Sequence, residues 1–401
     1  MFKYYRKMLG FWVNVFFATF FAKKQTSTEK NIAIIFDEAI GDYILFRNFI
    51  KIIKESEKYK SHKLTFICNT TCKNLVEFLD SKYIDHLIWV DISKFKSNFI
   101  YRYKTLICLS KLTFTEVVIP NESRNILTTD LLALALQAKQ KISFIACNRN
   151  IGYQRWDQKQ KEIANKWYTK LYEVDYSKSN FAFDIRKRLV ETIIEEPISL
   201  SKPQIDLQNS SQKSIIEKTD NYIILAIGAS DPKRMWSAGN WIYLIKFILN
   251  NYSLHIVIIG SRKENSLAEQ ILAGITIEEQ KRVSNTCGQT SLVDSLYLIK
   301  NTKALIGNDS SAIHIAAALE TKEKAIEKYV IFPGKCFTRF VPYPDHITNH
   351  YHTIAHQNLN KQIEDGTLTF DYFLNISDIY PINEITPEKI IKKLTNSLYI
   401  N

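Results

Sequence analysis

The chain of 401 residues contains no Gly-x-Gly-x-x-Gly, no Asp-x-Asp and no Cys-x-x-Cys. The first absence removes the usual dinucleotide fingerprint. The second leaves no motif that argues for a metal. The third, with Cys68, Cys72, Cys108, Cys147, Cys287 and Cys336 scattered along the chain, points to reduced, mostly buried thiols and a cytosolic compartment. No helix-turn-helix, zinc-finger or RNA-binding signature accompanies the net charge of +12, which makes a nucleic-acid partner a poor reading. Lysines spread along the chain favour anionic partners such as phosphates, acidic glycans or lipid headgroups. No internal repeat is visible, and no apolar run is long enough to cross a bilayer. The longest, Leu9–Ala22, falls short of the roughly 20 residues that crossing needs.

What is present is a globular composition, 46% hydrophobic and 23% charged, long enough for two ordinary domains. Residues 1–30 stand apart. Lys3, Arg6 and Lys7 precede the Phe- and Trp-rich run, and Lys23 and Lys24 follow it, without a small-x-small cleavage site. This reads as a helix lying in the membrane interface, peripheral to the cytoplasmic face of an inner membrane. A helix packed on the protein's own body and a signal segment are the alternatives.

From Asn31–Phe36 onward, apolar runs alternate with helical stretches, which predicts parallel sheets covered by helices. Strands are expected at Asn31–Phe36, Leu64–Cys68, Leu87–Val90, Thr105–Leu109 and Val117–Ile119, with 128–138 and 158–195 mostly helical. The Pro- and Ser-bearing stretch from Glu196 to Gln212 places a domain boundary between about 197 and 220. A second alternating series begins at Tyr222. The expected organisation is an interface segment over 1–30, a first domain over 31–205, a second over 215–345, and a C-terminal loop and helix over 346–401. His346, His350, His352 and His356 contain two i, i+4 pairs that could suit zinc, but the polar, proline-led setting reads better as solvated loop.

Four constellations carry chemistry. Gly41-Asp42 follows the first strand, where a carboxylate can accept a proton from a hydroxyl or simply cap a helix. Gly228-Ala-Ser230-Asp-Pro-Lys233-Arg234-Met-Trp236 follows the first strand of the second half, as a phosphate site or a basic surface loop. Gly260-Ser-Arg-Lys-Glu264 offers a carboxylate to ribose hydroxyls or to its own helix start. Gly307-Asn308-Asp309-Ser310-Ser311 leads into a helix former through Leu319, with His314 on its first turn. Such a strand-to-helix turn leaves N–H groups unpaired and suits a phosphate.

In this order and spacing these motifs resemble glycosyltransferase family 9, the bacterial heptosyltransferases of lipopolysaccharide core synthesis and their relatives, over about residues 31–345. The resemblance implies an α/β, GT-B fold: two Rossmann-like domains facing across a cleft. It implies inverting, metal- and cofactor-independent transfer from a nucleotide sugar such as ADP-heptose to a lipid-linked surface glycan. Asp42 would be the base. Ser230 with Lys233 or Arg234 would hold the diphosphate, Glu264 the ribose, and Asp309, Ser310, Ser311 and His314 the rest of the donor. The pattern departs from the family at Ser311, where glycine is frequent, at Asp37-Glu38, where a basic residue is common, and at the charged insert Thr321–Lys328. Two other classes fit less well: a non-catalytic sugar-nucleotide-binding relative, and a two-domain sugar-nucleotide epimerase, which would need a His/Glu pair.

Overall fold

The runs Asn31–Phe36 and Tyr222–Ala226 become central strands of two separate parallel sheets. Each is apolar and buried along nearly its whole length, as a strand covered by helices on both faces must be. The computed structural model describes residues 10, 12–16, 19–20, 29–146, 158–207, 221–334, 337–365 and 380–397. The polar stretch Gln208–Gln212, Cys147, Cys336 and the flanking basic residues Lys3, Arg6, Lys7, Lys23 and Lys24 lie outside them.

The first unit, Met1–Ser199, holds β1 (Asn31–Phe36), β2 (Lys63–Asn69), β3 (His86–Val90), β4 (Thr113–Val118), β5 (Gln137–Phe144) and β6 (Lys170–Tyr172) in the order β3-β2-β1-β4-β5-β6. The second, Leu200–Asn401, holds β7 (Tyr222–Ala226), β8 (His255–Ile259), β9 (Val283–Asn285), β10 (Ala304–Asn308), β11 (Glu327–Phe332) and β12 (Tyr351–Ala355) in the order β12-β11-β10-β7-β8-β9. Numbered within its own unit, each sheet runs 3-2-1-4-5-6, the doubly wound Rossmann order, whose crevice opens where strand order reverses. That point lies between β1 and β4 in one unit and between β7 and β10 in the other. In the second sheet Gly307 lets two strands close up there: a Cβ on it would stand 2.8 Å from the Cβ of Ala226.

Several local expectations change. Thr105–Leu109 lies in the helix Phe99–Ser110. Asn98 caps it by accepting the Tyr101 N–H at 3.0 Å, and Leu106 and Leu109 share its buried face. The helical stretch after Thr128 stops at Ala135, and β5 begins at Gln137. Within 158–195 the short β6 separates two helices. Ile205 donates its N–H to Ala318 O at 2.7 Å, and Lys300 Nζ donates to Leu207 O at 2.9 Å, so 200–207 belongs to the second unit. Lys328, read as part of a charged insert, is fully buried in β11 and paired with Glu320 at 3.1 Å.

The C-terminal stretch 346–401 also supplies a strand, β12, on the edge of the second sheet. Three of its histidines are engaged in the fold, and His346 is exposed. His350 and His352 contact the two oxygens of Glu327 at 2.7 and 2.8 Å. His356 is buried, meets Glu384 at 2.8 Å and stacks on Tyr380. Among the described residues no group of three or more His, Cys, Asp or Glu could hold a metal. Beyond β12, the helix Pro387–Ser397 sends Ile390 and Leu394 into the second core. Each such side chain contributes about 1.5–3 kcal/mol when fully buried.

The Glu327 pair gives a pH test. Burial pushes the Glu327 carboxyl up, but hydrogen bonds from His352 and His350 outweigh it and hold the group below its ordinary value of 4.5. A depressed carboxyl contributes stability above its unfolded pKa and loses it as pH falls through the folded value. Glu327→Gln is expected to destabilise the protein by about 1 kcal/mol at neutral pH. Thermal unfolding of both proteins across the acid range should show the difference between them shrinking below pH 4.5.

Candidate functional site

In the first unit, β1 ends at Phe36 and the helix Ile40–Phe46 begins after Ala39, whose side chain makes no cap. Asp42 is therefore not an N-cap but a first-turn carboxylate. Arg186, wholly buried on the helix Ala182–Ile194, donates from Nη2 to Asp42 Oδ1 at 2.7 Å and from Nη1 to the Asp42 carbonyl at 2.9 Å. Its Nε lies 3.4 Å from Oε2 of Glu122, in the loop after β4. One guanidinium thus joins the helix start after β1 to the loop after β4, on either side of the strand-order reversal. A charge-assisted pair on both the side chain and the backbone of Asp42 fixes that carboxylate in place.

The rest of this corner is acidic and polar. Asp37 accepts from Asn121 Nδ2 at 2.9 Å and Thr129 Oγ1 at 2.7 Å. Burial raises its pKa, against the lowering effect of the Thr129 and Thr128 hydroxyls. Glu38 accepts from Ser123 Oγ at 2.8 Å. Behind them Arg124 and Asp130, both fully buried, pair at 3.1 Å, and the Arg124 guanidinium sits 4.3 Å over the Tyr168 ring. The basic residue common in this turn of the resembling family is thus replaced by carboxylates held by neutral donors. Arg186 and Glu122 were not singled out from sequence. They are distant in the chain from Gly41-Asp42, and only the packing of the Ala182–Ile194 helix joins them.

In the second unit the corresponding corner is basic. Arg234 donates from Nη1 to Asp309 Oδ2 at 2.9 Å and to the Asp309 carbonyl at 3.2 Å, and from Nη2 to Ser230 Oγ at 2.5 Å. This knot again joins the loop after the first strand to the loop after the fourth. Lys233, which the sequence left as the alternative to Arg234, is exposed on the turn Pro232–Arg234. Asp309, drawn to Arg234, does not cap the helix Ser311–Leu319. Ser310 occupies the N-cap position without a side-chain cap bond, so the helix start keeps backbone donors for an anion. Asn308 is fully buried and braces the turn, donating to Ile227 O at 2.7 Å and accepting the Trp236 N–H at 3.3 Å. His314, buried on the same helix, meets the Tyr343 hydroxyl at 2.7 Å, so its ring is already engaged by the Pro- and Tyr-rich loop.

Glu264 closes a capping box: its Oε2 accepts the Ser261 N–H at 2.7 Å. The helix-start reading is realised, yet it uses one oxygen. Two glycines make room for this side chain. A Cβ on Gly228 would lie 3.1 Å from Glu264 Cδ, and one on Gly260 would lie 3.0 Å from Glu264 Cβ and from Cys287 Sγ. The carboxylate therefore lies over the ends of β7 and β8. Beside it opens a pocket of about 590 Å³ lined by Arg262, Lys263, Asn265, Ser266 and the turn Cys287-Gly288-Gln289. Burial and the nearby Glu264 charge push the Cys287 thiol up to about 12, so it is an inert wall of the pocket. That turn was also missed from sequence. Its one signal is Gly288, at φ +69°, directly after a strand too short to stand out.

Comparison with known proteins places this geometry. The family model described as glycosyltransferase family 9 (heptosyltransferase) matches residues 124–326. Lipopolysaccharide heptosyltransferase 2 of Salmonella typhimurium is 26% identical over 167 residues, 42% of this chain and 43% of that protein. The match therefore spans less than half of that relative's length. Among solved structures, a glycosyl transferase family 9 protein from Veillonella parvula has a TM-score of 0.64 at 16% identity, covering 93% of this chain and 98% of that one. An E. coli heptosyltransferase with ADP-2-deoxy-2-fluoro heptose gives 0.59 at 12% identity, covering 91% and 99%. The α/β class and GT-B fold hold.

Removing the cation from the first corner tests how far the site depends on it. Arg186→Leu leaves Asp42 and Glu122 without it in a buried setting, and is expected to cost about 3–5 kcal/mol. Urea unfolding of the full chain should register the loss. A change below about 1 kcal/mol would mean that water compensates the pair and that Arg186 does not hold this corner.

Proposed function

The chain belongs to glycosyltransferase family 9, and from that premise we propose that it transfers a heptosyl group from a nucleoside-diphosphate donor such as ADP-heptose to a lipopolysaccharide or related surface-glycan acceptor. The observation that carries this reading is the Ser230–Arg234–Asp309 knot at the head of an anion-receptive helix. It has a held carboxylate, Asp42, as its counterpart at the matching corner of the other unit.

Asp42 takes the proton from the acceptor hydroxyl as that oxygen forms its bond to the anomeric carbon. The bond from that carbon to the diphosphate breaks on the opposite face, the electron pair leaves with the nucleoside diphosphate, and configuration inverts. Arg234, the Ser230, Ser310 and Ser311 hydroxyls and the N-terminus of the Ser311–Leu319 helix stabilise the charge that develops on the leaving group. They do so in place of a metal. Arg234 can exchange part of its bond to Asp309 for a phosphate oxygen, so Asp309 keeps the guanidinium oriented while the donor is absent. Lys233 adds a solvent-screened charge. Glu264, with one oxygen committed to Ser261, offers the other to the ribose, and the adjacent pocket takes the base. His314 supports the helix start through Tyr343. The acceptor, an anionic lipid-linked glycan, meets the first unit, and the chain works on the cytoplasmic face of the inner membrane. Among the described residues no helix is long and apolar enough to cross a membrane, and residues 1–24 provide the attachment.

Two measurements check the assignment. Asp42→Asn is expected to lower turnover by about 10²–10⁴-fold while leaving nucleotide affinity, read by calorimetry with ADP, nearly unchanged. A variant keeping more than about a tenth of wild-type turnover would remove Asp42 from the role of base.

Arg234→Ala is expected to weaken ADP binding by about 1.5–3 kcal/mol, because its charged hydrogen bonds are partly desolvated. Lys233→Ala should cost less than about 1 kcal/mol, as an exposed charge does. Unchanged affinity in Arg234→Ala would end the diphosphate assignment.

A further inference from the structure

Nine large apolar side chains lie exposed among the described residues, and five of them, Trp12, Phe16, Phe20, Phe99 and Ile100, fall on two helical elements. Trp12, Phe16 and Phe20 recur every four residues in the N-terminal helical segment and so share one stripe of it. The other side of that segment is packed on the first unit. Val15 joins the core cluster that contains Phe95, Leu106 and Leu109. Asn14 is buried and accepts from Arg102 Nη1 at 3.4 Å, and Arg102 stands on the helix Phe99–Ser110. Asn14 and Val15 thus lie against the helix that begins with Phe99 and Ile100.

Charge follows the same boundary. Residues 1–28 contain no Asp or Glu and carry Lys3, Arg6, Lys7, Lys23 and Lys24. Residues 92–115 also contain no Asp or Glu and carry Lys94, Lys96, Arg102, Lys104 and Lys111. Of these, Lys94, Lys96, Lys104 and Lys111 are exposed. Exposed aromatic and aliphatic side chains set among lysines, with Asp91 at the edge of the second window paired to Lys94, match an anionic bilayer surface: the rings enter the headgroup region and the ammonium groups meet lipid phosphates. A second copy of the chain fits poorly, because it would bring like charge against like charge.

We propose that Trp12, Phe16 and Phe20 and the start of the Phe99–Ser110 helix form one composite docking face for an anionic membrane. This rests on the reading of residues 1–24 as the attachment and extends it. The contact is not a loose tether, because its second half is part of the folded first unit, whose orientation on the bilayer is thereby set.

The test uses the full-length protein and sedimentation with vesicles of phosphatidylcholine alone or with phosphatidylglycerol. Phe99→Ser/Ile100→Ser changes only exposed side chains, and its thermal unfolding should match wild type. Its partition onto anionic vesicles is expected to fall at least about tenfold. Trp12→Ser/Phe16→Ser/Phe20→Ser should fall by at least as much, and wild type should bind neutral vesicles less than anionic ones. If the Phe99/Ile100 variant binds like wild type while the N-terminal variant does not, the composite face is wrong and attachment rests on residues 1–24 alone. If neither variant changes, both readings fail. If wild type ignores vesicles but forms a dimer that Phe99→Ser/Ile100→Ser breaks, the face belongs to a second copy and the proposal is overturned.

Discussion

A buried guanidinium has to be surrounded by acceptors, because the interior offers it no water. In each unit one arginine, fully buried at Arg186 and partly buried at Arg234, meets this demand across the strand-order reversal. Arg186 takes Asp42 from the first turn of the helix after β1 and Glu122 from the loop after β4. Arg234 takes Ser230 from the loop after β7 and Asp309 from the loop after β10. Two loops that belong to different βα units are thereby held at one spacing, and the crevice between them has fixed walls. An asparagine supports each arrangement: Asn121 donates to Asp37, and Asn308 donates to Ile227 O.

The same scaffold carries opposite electrostatics in its two copies. The first corner sets Asp42 and Glu122 on Arg186 and adds Asp37 and Glu38, and Asp37 relies on neutral donors with its pKa raised by burial. The second offers Arg234, Lys233, hydroxyls and a helix start without a side-chain cap. A proton acceptor is more useful among carboxylates, and a departing diphosphate among cations. The division of labour proposed for the two units is therefore a consequence of which side chains each loop places at an otherwise equivalent position.

Where strand and helix were misjudged, the physical reasons are specific. Thr105–Leu109 has the composition of a strand, but the Asn98 cap and the spacing of Leu106 and Leu109 make it a helix. The last strand, β12, was hidden by its histidines, which look solvated in isolation. They are drawn in by Glu327 and Glu384, partners supplied from β11 and from the segment before the last helix. Attraction between groups far apart in sequence cannot be read from local pattern.

The chain by itself determined the alternation of apolar strands and helices, the two α/β halves, and the position of every motif turn. These follow from hydrophobic periodicity, glycines and helix starts, which act over a few residues. It also marked Asp42, Ser230, Arg234, Glu264 and Asp309. Only the tertiary structure showed Arg234 paired with Asp309 and Lys233 in solvent, since the two are adjacent and alike in charge and only folding turns one inward. Only the tertiary structure brought in Arg186, Glu122 and the Cys287-Gly288-Gln289 wall, because a helix or strand far along the chain delivers each of them. It also showed that Glu264 and Asp309 are already engaged, one with its own helix start and one with Arg234. A sequence states which groups are available near a turn; the fold decides which of them a buried charge has claimed.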